Sequence, residues 1–369
     1  MKLLAAGGGT SGHINPALAI VREFVRRHPD AEVLFIGTEG HAEADLVPRA
    51  GFNIEFIEIS GLSRQKSFAA VKHNIRTAFK YLKAKNRVRE IIKEFKPDIV
   101  LGTGGYVSAP VVRQAAKMGI KTVIHEQNAY AGVSTKMLAP VVDKVFLSFP
   151  LAKPIKCDSE KTEVVGNPVN PDFLGIDRES ARIELGIPNN RPFVLSYGGS
   201  LGARKINDAF AEMATVSADE GLILHYHGAA RDYDYLNEKL GSVAQADNIK
   251  LFKYIYNMPT VMAAADLIIA RSGAMTLTEI AALGRASILI PSPNVTENHQ
   301  YYNAKGYSDV GAAILIEEVD LSGEKLYQTI KTLMDDRAEL RKMEKAALGL
   351  ARTDAAARIC DGMESLING

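Results

Sequence analysis

Residues 2–13 read KLLAAGGGTSGH, and residues 193–204 read FVLSYGGSLGAR. Each is a short apolar run, then clustered glycines, then the start of a helical pattern. The run is a buried strand, and the glycines turn the chain tightly. The helix that follows leaves its first N–H groups unpaired, and these favour an anion. Two such units about half a chain apart predict two α/β domains with a phosphate-bearing ligand in a cleft between them.

Outward from the first turn, strand-like runs at 32–37, 53–59, 98–102, 121–125 and 144–148 alternate with helical patterns. The helices are expected at about 16–27, 41–50, 67–95, 108–118 and 132–140, the first with Asn15 as N-cap and Pro16 in its first turn. Outward from the second turn, strands are expected near 222–227, 249–253, 266–270 and 286–290. Helices are expected near 202–214, 231–241, 274–283 and 299–306, and the tail from 322 onward is helical. Such alternation builds a parallel sheet covered on both faces. Between the two series, 149–173 is irregular and proline-rich, and GNPVNPDF (166–173) reads as the linker. The domains are expected over 1–166 and 167–349, with a final helix at about 350–369 packing back onto the first.

The chain has 369 residues, 47% of them apolar and 24% charged, with a net charge of +1, which is ordinary for a soluble globular protein. That balance gives no polyelectrolyte character and no nucleic-acid partner is expected. Cys157 and Cys360 are far apart and lack metal-ligand company, so they read as two reduced thiols. Neither a signal peptide nor an apolar run long enough to span a bilayer is apparent. The charge is distributed unevenly. No acidic residue occurs from 59 to 89, and Arg64 to Lys96 holds eleven Lys or Arg against Glu90 and Glu94. Phe68, Val71, Ile75, Phe79 and Leu82 are interleaved at helical spacing. This is either a solvated helix packed by its apolar stripe or a cationic amphipathic face for an anionic membrane surface.

Several strings carry chemistry. In Gly7–His13 the loop lacks the GK[ST] ending of a nucleoside-triphosphate site, and His13 stands at its mouth, on the side where α/β sheets bind ligands. Gly102–Ser108, with Tyr106, again follows a strand directly. His125, Glu126, Gln127 and Asn128 cap the strand at 121–125, and four polar residues there point to a ligand rather than to packing. In the second half, Gly198–Arg204 offers a helix N-terminus suited to a diphosphate, with Ser200 supplying both N–H and hydroxyl. RSGAMTLTE (271–279) begins at a strand end and becomes a helix, and Glu279 could accept bonds from both hydroxyls of a ribose. Its alternative is a simple helix-dipole charge. Gln300 opens another helix and can read a sugar hydroxyl through its amide. No His/Cys ligand spacing appears, so no metal is expected.

Together GGGTSGHINPALA, GTGGYVSAPV, HEQNAYAGVSTKMLA, GNPV, GGSLGAR, RSGAMTLTEIAALG and NHQYYNA, in this order over nearly the whole length, resemble the MurG family. These are the UDP-N-acetylglucosamine:lipid I N-acetylglucosaminyltransferases of peptidoglycan synthesis. The resemblance implies a GT-B fold, two Rossmann-like doubly wound domains facing across a cleft. It implies that Glu279 takes the ribose hydroxyls and that Ser200 meets the diphosphate. Met275 and Thr276, with Arg271 and Ala274 of the same string, line the nucleotide site. Ile255 offers its backbone to the uracil. Gln300 and Asn128 contact the N-acetylglucosamine, and Thr10, Ser11 and Gly12, with Tyr106, approach from the N-terminal side. Two positions depart from the family pattern, Asn170 after GNPV and Thr135 after HEQN, and neither is given a role.

The implied reaction transfers N-acetylglucosamine from UDP-GlcNAc to the 4-hydroxyl of the N-acetylmuramoyl unit of lipid I, with inversion, giving lipid II. His13 is the expected base, with Glu126 or His125 as second choices, and no cofactor is implied. The implied setting is peripheral attachment to the cytoplasmic face of the membrane through 64–96. Other cell-wall synthesis proteins are candidate partners, and roles in cell shape, division and the cell cycle follow. Rival readings are another GT-B UDP-sugar enzyme, either a different lipid-linked glycosyltransferase or a UDP-GlcNAc 2-epimerase, a dinucleotide oxidoreductase using Glu39, and a non-catalytic nucleotide-sugar sensor.

Overall fold

In the computed structural model the described residues are 1–59, 83–199 and 202–369. They divide into two compact units, Met1–Val169 with Arg352–Gly369, and Asn170–Ala351. Each is built on one parallel sheet.

The first unit runs β1 (Lys2–Gly7), α1 (Ser11–Arg27), β2 (Glu32–Gly37), α2 (Ala42–Arg49) and β3 (Asn53–Phe56). It continues with α3 (83–95), β4 (Ile99–Gly104), α4 (Gly105–Lys117), β5 (Lys121–Glu126), α5 (Val133–Leu138), β6 (Lys144–Leu147) and β7 (Thr162–Val164). Its strands lie in the order β3-β2-β1-β4-β5-β6-β7. The chain reverses its direction across the sheet between β3 and β4. The carboxyl ends of β1 and β4 therefore form the switch point where open α/β sheets hold ligands. Alternate residues of β1 feed opposite faces. Leu3 and Ala5 pack with Ile14, Val21, Phe24 and Met363, whereas Leu4 and Ala6 pack with Val88, Ile91, Val111 and Leu138.

The second unit runs α6 (Arg178–Leu185), β8 (Phe193–Tyr197), α7 (Arg204–Glu220), β9 (Leu224–Gly228), α8 (Tyr233–Leu240) and β10 (Ile249–Phe252). After these come α9 (Met258–Ala264), β11 (Leu267–Ala270), α10 (Ala274–Leu283), β12 (Ala286–Leu289), α11 (His299–Ser308), β13 (Ala313–Leu315), α12 (Gly323–Asp335) and α13 (Arg337–Gly349). The order β10-β9-β8-β11-β12-β13 places its switch point at β8 and β11. The chain then returns to the first unit as α14 (Ala355–Asn368). There Arg27 of α1 donates to Asp361 (2.6 Å) and to the Ala357 carbonyl (3.1 Å).

The structure corrects the start of the first helix. It begins at Ser11, with Thr10 as N-cap rather than Asn15, and Pro16 lies inside it. The N–H groups of His13 and Ile14 both bond to the Thr10 carbonyl, so the glycine turn itself nucleates the helix. Pro16 then forgoes only the bond to Gly12, four residues back. His13 is thereby carried on a helical first turn rather than on a loop.

Four elements went unanticipated: α6, α9, β7 and β13. Helix α6 matters for stability. Arg182, 2% exposed, donates to the carbonyls of Ala264, Pro188, Asn189 and Arg191 and, at 2.7 Å, to Asp266. The same Asp266 oxygen accepts the N–H of Phe193 at the head of β8 (2.9 Å). A buried ion pair is tolerated because its remaining hydrogen-bonding capacity is filled in this way.

Of the basic segment 64–96, residues 64–82 lie outside the described residues, Phe68, Val71, Ile75, Phe79 and Leu82 among them. In α3, Ala84, Val88, Ile91 and Ile92 are buried in the core, while Lys83 pairs with Glu58 and Arg87 with Glu55. Over 83–95 the apolar stripe therefore serves packing. No helix among the described residues is long and apolar enough to cross a membrane.

Candidate active site

At the first switch point three loops are fastened to one another. The single hydroxyl proton of Ser108 is shared between the carbonyls of Ala6 (2.6 Å) and Gly104 (2.8 Å), and its oxygen accepts the Gly104 N–H (3.0 Å). Thr103 donates its hydroxyl to the His13 carbonyl (2.8 Å). The fit requires glycine at two places. A Cβ on Gly105 (φ +76°) would lie 2.1 Å from the Gly8 oxygen, and one on Gly104 (φ +105°) would lie 2.7 Å from His13 Nδ1.

The first turn is also held by a group the sequence reading missed. Glu43 of α2 is fully buried, and its carboxylate accepts the N–H of Gly9 (3.0 Å), the N–H of Thr38 (3.2 Å) and the Thr38 hydroxyl (2.6 Å). The Gly9 N–H, within the glycine turn, is thus taken by a protein carboxylate. Tyr106 stands beside this cluster, with its hydroxyl 3.2 Å from that of Thr38, and burial raises its phenol above the usual range. Thr10 is exposed and Gly12 half-buried at the start of α1, and Ser11 begins the helix.

His13 Nδ1 lies 3.1 Å from the Thr103 carbonyl and 3.0 Å from Gln127 Oε1. A carbonyl only accepts, so Nδ1 carries the proton and Nε2 holds the lone pair of the neutral ring. Among the described residues no hydrogen bond reaches Nε2.

The expected second choices for the base are turned inward. His125, 1% exposed, reaches the Gly166 carbonyl (3.0 Å) and the Ser148 hydroxyl (3.1 Å) through Nε2, and burial pushes it down to about 4. Glu126 fills one oxygen with the N–H (3.1 Å) and amide (3.3 Å) of Asn128 and the other with the Gly132 N–H (2.8 Å) and Thr135 hydroxyl (2.5 Å). Both shape the loop from within, and Thr135, set aside on sequence, is one of the groups that anchor Glu126. Asn128 is half-buried at the turn this carboxylate braces.

In the second unit, Ser200 lies outside the described residues, between Gly199 and Gly202. The flanking wall is ordered by a buried polar line. Ser196 meets His227 Nδ1 (2.6 Å), His227 Nε2 meets Asn207 (2.9 Å), and Asn207 donates to Asp232 (3.0 Å). Burial pushes His227 down to about 3, so it stays neutral.

Helix α10 follows the N-cap residue Gly273, which provides no side-chain cap and leaves the first-turn N–H groups available. Met275, Thr276 and Glu279 share one face by their i, i+3 and i+4 spacing. Tyr197, at the end of β8, adjoins Thr276 and Glu279. Glu279 is half-buried, and loss of water pushes its carboxyl up to about 7. Ala274, at the first position of α10, is buried. Arg271 donates to the carbonyls of Ile290 (3.1 Å) and Pro291 (3.2 Å) and pairs with Glu318, so much of its fork is engaged within the unit. Gln300 accepts the Ser292 N–H on Oε1 (2.9 Å), and among the described residues its amide nitrogen makes no hydrogen bond. Ile255 is buried beside Gly228, and among the described residues its backbone N–H and carbonyl make no hydrogen bond.

Among the described residues, those singled out on sequence divide between the two units and lie at or follow the carboxyl ends of β1, β4 and β5 in the first and of β10, β11 and β12 in the second. Glu43 was not anticipated, and Gln127, Thr103 and Ser108 lay within strings singled out on sequence but were given no individual role.

Residues 3–147 match the glycosyltransferase family 28 N-terminal domain, and residues 193–359 match the C-terminal domain of the same family. A UDP-N-acetylglucosamine–N-acetylmuramyl-(pentapeptide) pyrophosphoryl-undecaprenol N-acetylglucosamine transferase of Acetivibrio thermocellus is 44% identical, covering 100% of this chain and 98% of its own. The crystal structure of Acinetobacter baumannii MurG superposes with a TM-score of 0.80 at 28% identity, covering 99% of each chain. A crystal structure of a UDP-N-acetylglucosamine 2-epimerase superposes with a TM-score of 0.64 at 16% identity, over 97% and 94% of the two chains, a likeness of fold alone.

Proposed function

The chain belongs to glycosyltransferase family 28, and from that membership we propose that it transfers N-acetylglucosamine from UDP-N-acetylglucosamine to undecaprenyl-pyrophosphoryl-MurNAc-pentapeptide, lipid I. The observation that carries this reading is the 44% identity, over the whole chain, to a transferase named for that reaction. The acceptor group is the 4-hydroxyl of the N-acetylmuramoyl sugar, and the product is lipid II, a precursor for wall growth and division.

The chemistry needs a base, charge stabilisation for the departing nucleotide and two substrates held in line. His13 is assigned as the base because its Nε2 lone pair is free while Nδ1 is committed. The acceptor O–H bond breaks, and its proton passes to His13 Nε2. The oxygen attacks the anomeric carbon from the side opposite the phosphate. The bond to UDP breaks, with the electron pair leaving on the phosphate oxygen. An α-linked donor therefore gives a β-linked product. In this reading the first-turn N–H groups of α7 and α10 take up the charge on UDP, with Ser200 beside them, and no metal is called on. Glu279 receives the ribose hydroxyls, Ile255 the uracil, and Gln300 and Asn128 the transferred sugar. Met275, Thr276, Ala274 and Arg271 wall the nucleotide site, and Thr10, Ser11, Gly12 and Tyr106 approach from the first unit.

The test is radiolabelled UDP-N-acetylglucosamine with and without a lipid I analogue, in the presence of a chelator. Label is expected in the lipid product only when acceptor is present, and in a β linkage. Epimerised UDP-sugar formed without acceptor would overturn the reading in favour of the epimerase alternative.

Segment 64–96 is assigned to the membrane, which places the enzyme peripherally on the cytoplasmic face. The excess of basic residues supports this, at about 1 kcal/mol per Lys or Arg near an anionic surface. Flotation with anionic vesicles is expected to carry the protein up, and neutral vesicles are expected to leave it behind. Equal flotation with both would refute electrostatic attachment.

A further inference from the structure

Gln127 belongs to the polar string at the end of β5 but had no role of its own in the sequence reading, yet it occupies the centre of a line of hydrogen bonds. Its Oε1 lies 3.0 Å from His13 Nδ1, and its Nε2 lies 3.1 Å from His125 Nδ1 and 3.0 Å from the His125 carbonyl. At the far end, His125 Nε2 meets the Gly166 carbonyl at 3.0 Å. Gln127 is 3% exposed and His125 1%.

The direction of every bond in this line is dictated by three main-chain carbonyls, which cannot donate. The Gly166 carbonyl requires a proton on His125 Nε2, so the neutral His125 ring presents an accepting Nδ1. The His125 carbonyl requires the amide nitrogen of Gln127 on its side, because the flipped amide would set two oxygens face to face. Gln127 Oε1 therefore points at His13, and with the Thr103 carbonyl it requires the proton on His13 Nδ1. Each member has a single orientation that satisfies both its neighbours.

We infer that Gln127 is a positioning residue for the transfer reaction, locking His13 in the tautomer that leaves Nε2 free to receive the acceptor's proton. The assignment rests on His13 as the base. Its mechanical content is narrower: one ring rotation and one tautomer are selected, and the Nδ1–H stays bonded to two oxygens when the ring becomes cationic. An amide suits this role because it accepts from His13 and donates to His125 at once, whereas a carboxylate cannot donate. The other titratable groups around His13 are held by their own partners. Glu43 on α2 binds Gly9 and Thr38, Glu126 on β5 binds Asn128, Gly132 and Thr135, Tyr106 on α4 adjoins Thr38, and His125 is buried and neutral.

Two variants of the full-length protein test this. Gln127→Met keeps the volume and removes both polar ends. Its kcat is expected to fall about 10–100-fold, with the donor KM within about twofold. In uniformly 15N-histidine-labelled protein, with the His13 signals identified by their loss in His13→Ala, wild type is expected to show His13 protonated on Nδ1. Gln127→Met is expected to show both tautomers. Gln127→Glu keeps the acceptor facing His13 and adds a negative charge beside it, so the acidic limb of the kcat–pH profile is expected to move up by about one pH unit. The inference is overturned if wild-type His13 is protonated on Nε2, or if Gln127→Met leaves both the tautomer pattern and kcat unchanged. It is also overturned if the Gln127→Glu profile stays where it was. The NMR reading is made without substrate, so a protein that fails the transfer assay but loses its tautomer in Gln127→Met would sink the proposed reaction and leave the positioning role standing.

Discussion

His13→Ala is expected to lower kcat by about 10²–10⁴ while the donor KM changes by less than about twofold, the range for a lost general base. The split between the two constants is the informative part. The nucleotide of UDP-N-acetylglucosamine is assigned to residues of the second unit, and His13 is given no part in holding it, so ground-state donor binding is expected to change little. The lost group acts only when a proton must leave the acceptor hydroxyl, which places the whole loss in the barrier, at about 3–5 kcal/mol. His13→Gln sharpens the result. An amide can keep a bond to the Thr103 carbonyl but has no basic nitrogen, so it is expected to be as slow as alanine. Turnover within threefold of wild type in either variant removes His13 from the role. Both substitutions lie at the third position of α1, where Ala and Gln are good helix formers, so a change in fold is not expected to confuse the reading.

The two glycine turns announced both sheets because strand, turn and helix follow one another within a dozen residues, and each step leaves a local mark. The positions of His13, Glu279 and the HEQN string at or just past the carboxyl ends of strands followed from those marks. The inward turn of His125 and Glu126 did not. Four polar residues at a strand end look the same whether they face a ligand or brace a loop, and only the positions of Gly132, Thr135 and Gly166, distant in sequence, decide it. One signal was available. His125 and Gln127 are two residues apart at the end of a strand and so share a face. Glu43 left no signal, since an acid in the first turn of a helix is normally a solvated charge. Helix α6 was legible and was passed over: Asp177 caps it through the Ser180 N–H, and Gly186 closes it with a φ of +66°. Strands β7 and β13 have three residues each at sheet edges, too short for any periodicity to show.

Glu279→Ala is expected to weaken donor binding on the order of 10²-fold or more, with kcat at saturating donor much less affected. Two ribose hydroxyls donating to one carboxylate make two charge-assisted bonds, each worth about 1.5–3 kcal/mol. The free protein adds a second handle. Burial raises this carboxyl from 4.5 to about 7, so the folded chain holds a proton there that the unfolded chain has released. That proton stabilises the fold fully below pH 4.5, and the contribution is lost as pH rises through 7. Donor affinity runs in the opposite direction, because both hydroxyls need the ionised form. The Kd for UDP, measured by calorimetry, is expected to be flat above pH 7 and to weaken by up to tenfold per unit below it. Proton release on binding is expected near pH 6. Glu279→Gln cannot ionise and is expected to show a weak, pH-independent Kd. A 2′-deoxyribose analogue should bind wild type less tightly than UDP and bind Glu279→Ala about as well as UDP does. A wild-type protein that does not discriminate between the two, or a Kd that ignores pH between 5 and 8, would show that the ribose lies elsewhere. Glu279 would then be only a charge on the first turns of a helix.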